Sequence, residues 1–394
     1  MSEKSAETIR ATLPAVSGAI GEISAVFYDK LFTTHPELLR DVFNRGNQAN
    51  GAQQQALAGS ISAFASAMVE RPNRPPRAML NRIAHKHASL GVTRDQYEVV
   101  HAHLFAAIAE VLGEAATEEV VAAWSEVYWL MADILTTTED RLYAESGAIP
   151  GNTWRDYRVV GRWTETDDVV TFLARPVDGA AVLRARPGQY VSVQVELPDG
   201  AHQIRQYSLT SVRDDAVQFS VKNALGDPGG EVSGHLHARV GEGDFLRLSA
   251  PFGDVTLDDG DGPVLLVSAG IGCTPMISML GHLAATDSSR QVIAVHADRD
   301  ESTHALRADF DQLIAKLPDA AAHVWYEAPR EEWPAERTGL VDLGDVAIPD
   351  RTTAYLCGPL PFLRSVRAQL VDGGVPAADI HYEVFGPDMW LAQR

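Results

Sequence analysis

The sequence predicts a multidomain chain of three modules in order: an all-α module, an antiparallel β-barrel, and an α/β module with a parallel sheet. Three observations predict it. The chain has 394 residues, more than one ordinary core of about 150 residues supports. Apolar residues recur at helical spacing over the first third, then alternate in short runs, then return as apolar runs separated by helical stretches. Turn-rich joints at Gly147-Ala148-Ile149-Pro150-Gly151 and near Gly262 set the expected modules at residues 1–147, 152–258 and 262–394.

The helical module breaks at Pro36, at Arg71-Pro72-Asn73-Arg74-Pro75-Pro76, at Gly91 and at Gly113. Proline lacks the N–H a helix needs, and glycine tolerates the positive φ that ends one. Barrel strands are expected at Tyr157–Gly161, Val169–Ala174, Tyr190–Val195, Val217–Val221 and Phe245–Leu248. In the last module, strands are expected at Val264–Ser268, Val292–His296, His323–Tyr326 and Ala354–Cys357, with helices over Ala305–Leu317 and Phe362–Val371.

Composition excludes several function classes. A formal net charge of −20 without a local basic patch disfavours nucleic acid and anionic lipid. Met1–Glu7 is polar and acidic, unlike a secretory leader. The longest apolar stretch, Val264–Leu280, is interrupted by Gly270, Gly272, Thr274 and Pro275 and so reads as strand, turn and helix rather than a membrane anchor. The two cysteines, Cys273 and Cys357, are too few for a disulfide framework. A reducing, cytoplasmic location and a monomer are expected.

Five helices carry a polar residue within an apolar stripe, where burial without a partner is costly. Leu80, Ile83, Ala84, His87 and Gly91 share helical spacing, which points His87 inward and His85 away. Gln53 lies in line with Leu57, Ile61, Phe64 and Met68, and Tyr97 with Val100, Leu104, Ile108 and Leu112. Glu139 is in line with Met131, Leu135 and Leu142, and Tyr28 with Ile20, Ile23, Phe27 and Leu31. Taken singly, an inward His, Tyr or Gln is more often satisfied packing than a ligand. An inward carboxylate demands a partner.

Several strings together change those odds: Phe27-Tyr28-Asp29-Lys30-Leu31-Phe32, His35-Pro36-Glu37-Leu38 leading to Phe43-Asn44, Asn50-Gly51 to Leu57, Ile83-Ala84-His85-Lys86-His87, and Asp95-Gln96-Tyr97. The helical module resembles a bacterial globin, and the three modules in this order resemble the flavohaemoglobin family over essentially the whole chain. The resemblance implies haem b with His87 as proximal iron ligand and Tyr97 and Glu139 behind it. It also implies Tyr28, Gln53 and Leu57 on the ligand face, Phe43 against the porphyrin, and Lys86 near a propionate.

The barrel string Arg205-Gln206-Tyr207-Ser208, preceded by Pro187-Gly188-Gln189-Tyr190, resembles the flavin signature of the ferredoxin-NADP reductase superfamily. There the arginine meets the FAD pyrophosphate, the tyrosine packs on the isoalloxazine and the serine approaches the flavin nitrogen that accepts hydride. Tyr190 and Gln206 join that set. Gly229-Gly230-Glu231-Val232-Ser233 supplies glycines and backbone donors at an expected helix start, as pyrophosphate binding requires; Gly230, Val232 and Ser233 are the candidates.

Ala250-Pro251-Phe252-Gly253-Asp254 closes the barrel as it does in that family. In the last module Gly270, Ile271, Gly272, Cys273, Thr274 and Pro275 form a strand-to-helix loop suited to a dinucleotide phosphate. Cys357, Gly358 and Pro359, and the tail Glu383, Phe385, Gly386 and Pro387, resemble the nicotinamide and flavin-covering segments. The family commonly has cysteine at Val384 and glutamine at Cys273. NADH and NADPH stay open, since Arg299 beyond its strand suits a 2′-phosphate or plain solvent.

The resemblance implies a nitric oxide dioxygenase, in which NAD(P)H reduces FAD, FAD reduces haem iron, and oxygen held there oxidises nitric oxide to nitrate. Two alternatives stand beside it. One is a haem and flavin reductase of hydroperoxides or quinones; the other is an oxygen sensor or storage globin, which needs no flavin module.

Overall fold

A computed structural model describes residues 1–72, 74–226 and 229–386. The first module runs through α1 (Glu3–Thr34), α2 (Pro36–Asp41), α3 (Arg45–Ala49), α4 (Ala52–Glu70), α5 (Arg77–Leu90), α6 (Arg94–Leu112) and α7 (Glu118–Ser146). Local chemistry sets these limits. Pro36 occupies the first turn of α2, where its missing N–H costs nothing. Gly91 ends α5 at φ +79°. Thr93 and Gln96 form a reciprocal capping box on α6, and the Thr117 hydroxyl accepts from Val120 N on α7.

α1 packs against α4, α6 and α7, and its Ile9, Val16, Ile23, Phe27 and Leu31 are buried with Phe64, Leu104, Ile108 and Trp124. By length and composition α1 could cross a membrane, and 28% of its apolar window is buried.

The second module comprises β1 (Trp154–Thr166), β2 (Val169–Pro176), β3 (Tyr190–Glu196), β4 (His202–Val212), β5 (Val217–Lys222), α8 (Glu231–Arg239) and β6 (Phe245–Ser249). Its strands close a barrel in the order β1-β2-β5-β4-β3-β6. Antiparallel pairing sets Phe172 opposite both Arg162 and Phe219, with bulges in β1 between Val159 and Gly161 and between Thr164 and Thr166. Such bulges bend a sheet toward closure.

The third module holds β7 (Val264–Ala269), α9 (Cys273–Ala285), β8 (Val292–Asp298), α10 (Arg307–Lys316), β9 (Ala320–Tyr326), β10 (Thr353–Cys357), α11 (Leu360–Asp372) and β11 (Ile380–Glu383). Its parallel sheet has the order β11-β10-β7-β8-β9. The chain leaves β7 toward one edge and returns at β10 on the other side, so the loops after β7 and β10 flank the switch point where α/β sheets bind ligands. Val264–Leu280 is therefore strand, turn and helix, as expected. The chain separates into two compact units: Met1–Trp154 with Gln194–Arg205 and Gly386, and Arg155–Val193 with Gln206–Phe385.

Candidate functional site

In the helical module, His87, Tyr97 and Glu139 come together from α5, α6 and α7. His87 Nδ1 lies 2.9 Å from both Tyr97 Oη and Glu139 Oε1, and the Tyr97 hydroxyl donates to Glu139 Oε1 at 2.5 Å. The carboxylate is a pure acceptor, so the network places a proton on Nδ1 and leaves the Nε2 lone pair outward. Nε2 makes no hydrogen bond among the described residues. Burial, then the Glu139 charge, pushes the Tyr97 phenol well above its ordinary pKa and keeps it a donor.

One expectation needs correction. His85 is buried at 7% exposure, whereas the His87 side chain is 33% exposed. The stripe reading left His85 toward solvent, yet it is buried as well, while α7 reaches the His87 face through Glu139. Ile83 and His87, one turn apart, are both half-buried.

Tyr28 is buried, with its ring 5.8 Å from Phe43, and burial raises its pKa. The neighbouring Gln53 and Gln48 amides partly offset that shift. Neither buried amide atom of Gln48 has good hydrogen-bond geometry with any partner, so its contact with Tyr28 is loose. Gln48 escaped sequence reading because it lies on five-residue α3, too short to show a stripe. Gln53, Leu57 and Phe43 are half-buried, although the same α4 stripe closes completely at Phe64. A half-open apolar surface and a histidine with a free Nε2 fit a haem ligated by His87. Lys86 Nζ donates to Gly386 O at 3.0 Å.

β4 carries Arg205, Gln206, Tyr207 and Ser208 in one run. Arg205 Nη1 donates to Ile204 O at 2.7 Å and to Gln203 Oε1 at 3.4 Å, within the first unit. In the second unit, Gln206 Nε2 donates to Ser192 Oγ, Tyr207 stacks on Phe219 at 5.9 Å, and Ser208 and Tyr190 are buried. Gly230 precedes α8; a Cβ there would meet Ser233 Oγ at 2.4 Å. Ser233 Oγ itself accepts from Ala224 N, and Val232 is buried, so this loop is fixed around the helix start where a pyrophosphate is held.

At the switch point a Cβ on Gly272 would lie 2.4 Å from Cys357 O, so only glycine lets the two strand-end loops touch. Gly270 has φ +52°, Ile271 O accepts from the Thr274 hydroxyl, and Pro275 is buried in α9. The buried Cys273 thiol donates weakly to Ala305 O at 3.7 Å, and burial raises its pKa. Where the family commonly has glutamine, this chain has an inert thiol. Gly358 abuts Phe362, Pro359 opens α11, and Glu383 ends β11 in register with Cys357. Phe385 is 48% exposed; Pro387 lies outside the described residues. Arg299 is exposed.

Sequence reading missed a polar cluster beside this loop. Ser268 Oγ bonds His296 Nδ1 at 2.9 Å, His296 stacks on His304 with centroids 4.0 Å apart, and His304 Nδ1 bonds Tyr326 Oη at 2.9 Å.

The fold and these sites define a class: a globin joined to an oxidoreductase with flavin and dinucleotide modules. Residues 25–135 match the Globin family, 157–257 the oxidoreductase FAD-binding domain, and 266–368 the oxidoreductase NAD-binding domain. Flavohemoproteins of Bordetella parapertussis and Chromobacterium violaceum are 43% and 40% identical, covering 96% and 98% of both chains compared. A crystal structure of flavohemoglobin from Malassezia yamatoensis with bound FAD and heme superposes with a TM-score of 0.91 at 35% identity, covering 98% of this chain and 99% of that one. The FAD/NAD-binding domain of nitric oxide dioxygenase from Vibrio cholerae is 37% identical over 59% of this chain and 99% of its own, with a TM-score of 0.56.

The chain belongs to the flavohaemoprotein family. It is an oxidoreductase whose modules take haem, FAD and a nicotinamide dinucleotide.

Proposed function

We propose that this flavohaemoprotein is a nitric oxide dioxygenase, converting nitric oxide and oxygen to nitrate with electrons from NADH or NADPH. The observation that carries the reading is the hydrogen-bonded set His87, Tyr97 and Glu139. The Vibrio cholerae domain that bears this activity in its name, at 37% identity, adds support. When bound, haem supplies the iron that takes oxygen, while FAD splits the dinucleotide's electron pair into single electrons.

The chain's own residues set the chemistry. Glu139 accepts the Nδ1 proton of His87, which makes the ring more basic at Nε2. An electron-rich ligand favours activating oxygen over storing it. Tyr97 spends its proton on Glu139, so its oxygen is free to accept from the same imidazole and fix the ring plane. Tyr28, kept protonated by burial, would supply a hydroxyl donor to a haem ligand that carries partial negative charge.

Aerobic turnover with NADH tests the reading. Nitrate should accumulate only when nitric oxide is added, in proportion to the NADH consumed. NADH oxidation without nitrate, accelerated instead by hydroperoxides or quinones, identifies a reductase. No steady NADH oxidation with any acceptor identifies a sensor.

A further inference from the structure

The barrel segment Gln194–Arg205 belongs to the same compact unit as the helices, and within it Gln203 is fully buried at 0% exposure. Its amide is saturated. Nε2 donates to the carbonyl oxygens of Leu39 at 3.3 Å, Arg40 at 3.0 Å and Phe43 at 3.2 Å. Oε1 accepts from Arg45 N at 3.3 Å and Arg205 Nη1 at 3.4 Å. Leu39 and Arg40 lie in the last turn of α2, where helix carbonyls lack internal partners, so Gln203 caps that helix from a strand of the barrel.

Two other contacts join the same segments. Arg45 Nη1 meets Asp199 Oδ2 at 2.7 Å, and His202 N donates to Asp41 Oδ1 at 3.0 Å. The Arg45 and Asp199 side chains are 27% and 55% exposed, so solvent screens the pair and it adds little. Gln203 has no such screening. Losing its Nε2 donor removes a buried partner from the carbonyls of Leu39, Arg40 and Phe43.

We propose that Gln203 is a positioning residue for the passage of electrons from FAD to haem. One amide holds both the backbone of Phe43, expected against the porphyrin, and the guanidinium of Arg205, expected on the FAD pyrophosphate. The inference rests on the electron supply described above and on those two assignments, and is independent of which gas the haem acts on. The two ends of the amide are chemically separable. Gln203→Glu keeps an acceptor for Arg205 and loses the donor to Phe43; Gln203→Leu loses both.

Anaerobic stopped-flow of the holoenzyme under carbon monoxide resolves the steps: flavin bleaching reports hydride transfer, and the ferrous carbonyl Soret band reports haem reduction. The glutamate variant should retain FAD and bleach at the wild-type rate, while haem reduction slows about ten- to a hundredfold, as for a small misplacement of reacting partners. The leucine variant should add about a tenfold weaker hold on FAD. Wild-type haem reduction in both variants would overturn the inference. So would equal slowing of both steps, which marks general loosening rather than positioning. A wild-type chain whose haem NADH never reduces overturns the electron-supply reading and this inference with it.

Discussion

Glu139 separates a charge effect from a packing effect, because glutamine has the same shape and can still accept from Tyr97 and His87. Glu139→Gln removes the charge that draws the Nδ1 proton and leaves the geometry. Partners standing behind a metal-binding histidine typically change activity by about 10- to 100-fold when replaced, and nitrate formation should fall in that range. Resonance Raman of the ferrous haem should show a lower iron–histidine stretching frequency. Wild-type nitrate formation with an unshifted stretch would mean that the carboxylate only packs. His87, Tyr97 and Glu139 were legible in the sequence because each breaks a long apolar stripe. Periodicity on α5 pointed His87 toward Tyr97 and Glu139 but gave no sign that His85 is buried as well. Gln48 and Gln203 left no signal: one lies on a helix too short for a period, the other two residues before the string that carries the flavin resemblance.

Among the elements, those with a clean period were legible. The breaks at Pro36, Gly91 and Gly113 fall where α2 begins and α5 and α6 end. β4 was not anticipated as a strand, because His202-Gln203-Ile204-Arg205-Gln206-Tyr207 shows no apolar alternation; its polar side chains serve binding and contact between segments instead of a core. β11 has four residues, below what alternation can reveal. The segment between β8 and α10 also carries an unanticipated buried polar group, His304, and this one has a pH signature. Burial, then the neighbouring His296 and Arg307 charges, pushes the His304 pKa down to about 2. An unfolded chain takes up that proton near the ordinary histidine pKa of about 6.5. The unfolded state therefore binds more protons below that pH, and stability present above about pH 6.5 is lost as pH falls, by at most about 1.4 kcal/mol per pH unit. Hydrogen-exchange protection factors in β8 and β9, with the intrinsic slowing of exchange at lower pH divided out, should fall between pH 7 and 5, and His304→Gln should flatten the trend. An identical pH dependence in the variant would show that His304 does not carry it.

Over the whole molecule, module order was the most legible feature, because a change of hydrophobic period along a chain is a coarse signal that survives local errors. The closure of the barrel and the order of the parallel sheet were not written in any period; they follow from bulges and from which strand ends meet, as Gly272 and Cys357 do. On the proposed reading, electrons from the dinucleotide would pass through FAD to a haem held by His87 and would serve the oxidation of nitric oxide. Turnover with NADH and nitric oxide under isotopically labelled dioxygen tests that account most directly. It predicts nitrate carrying both atoms of one labelled dioxygen, formed by the wild-type chain and not by His87→Ala, which should still pass electrons from NADH to a soluble dye. Unlabelled nitrate, or NADH oxidised while nitric oxide remains unconsumed, would contradict it.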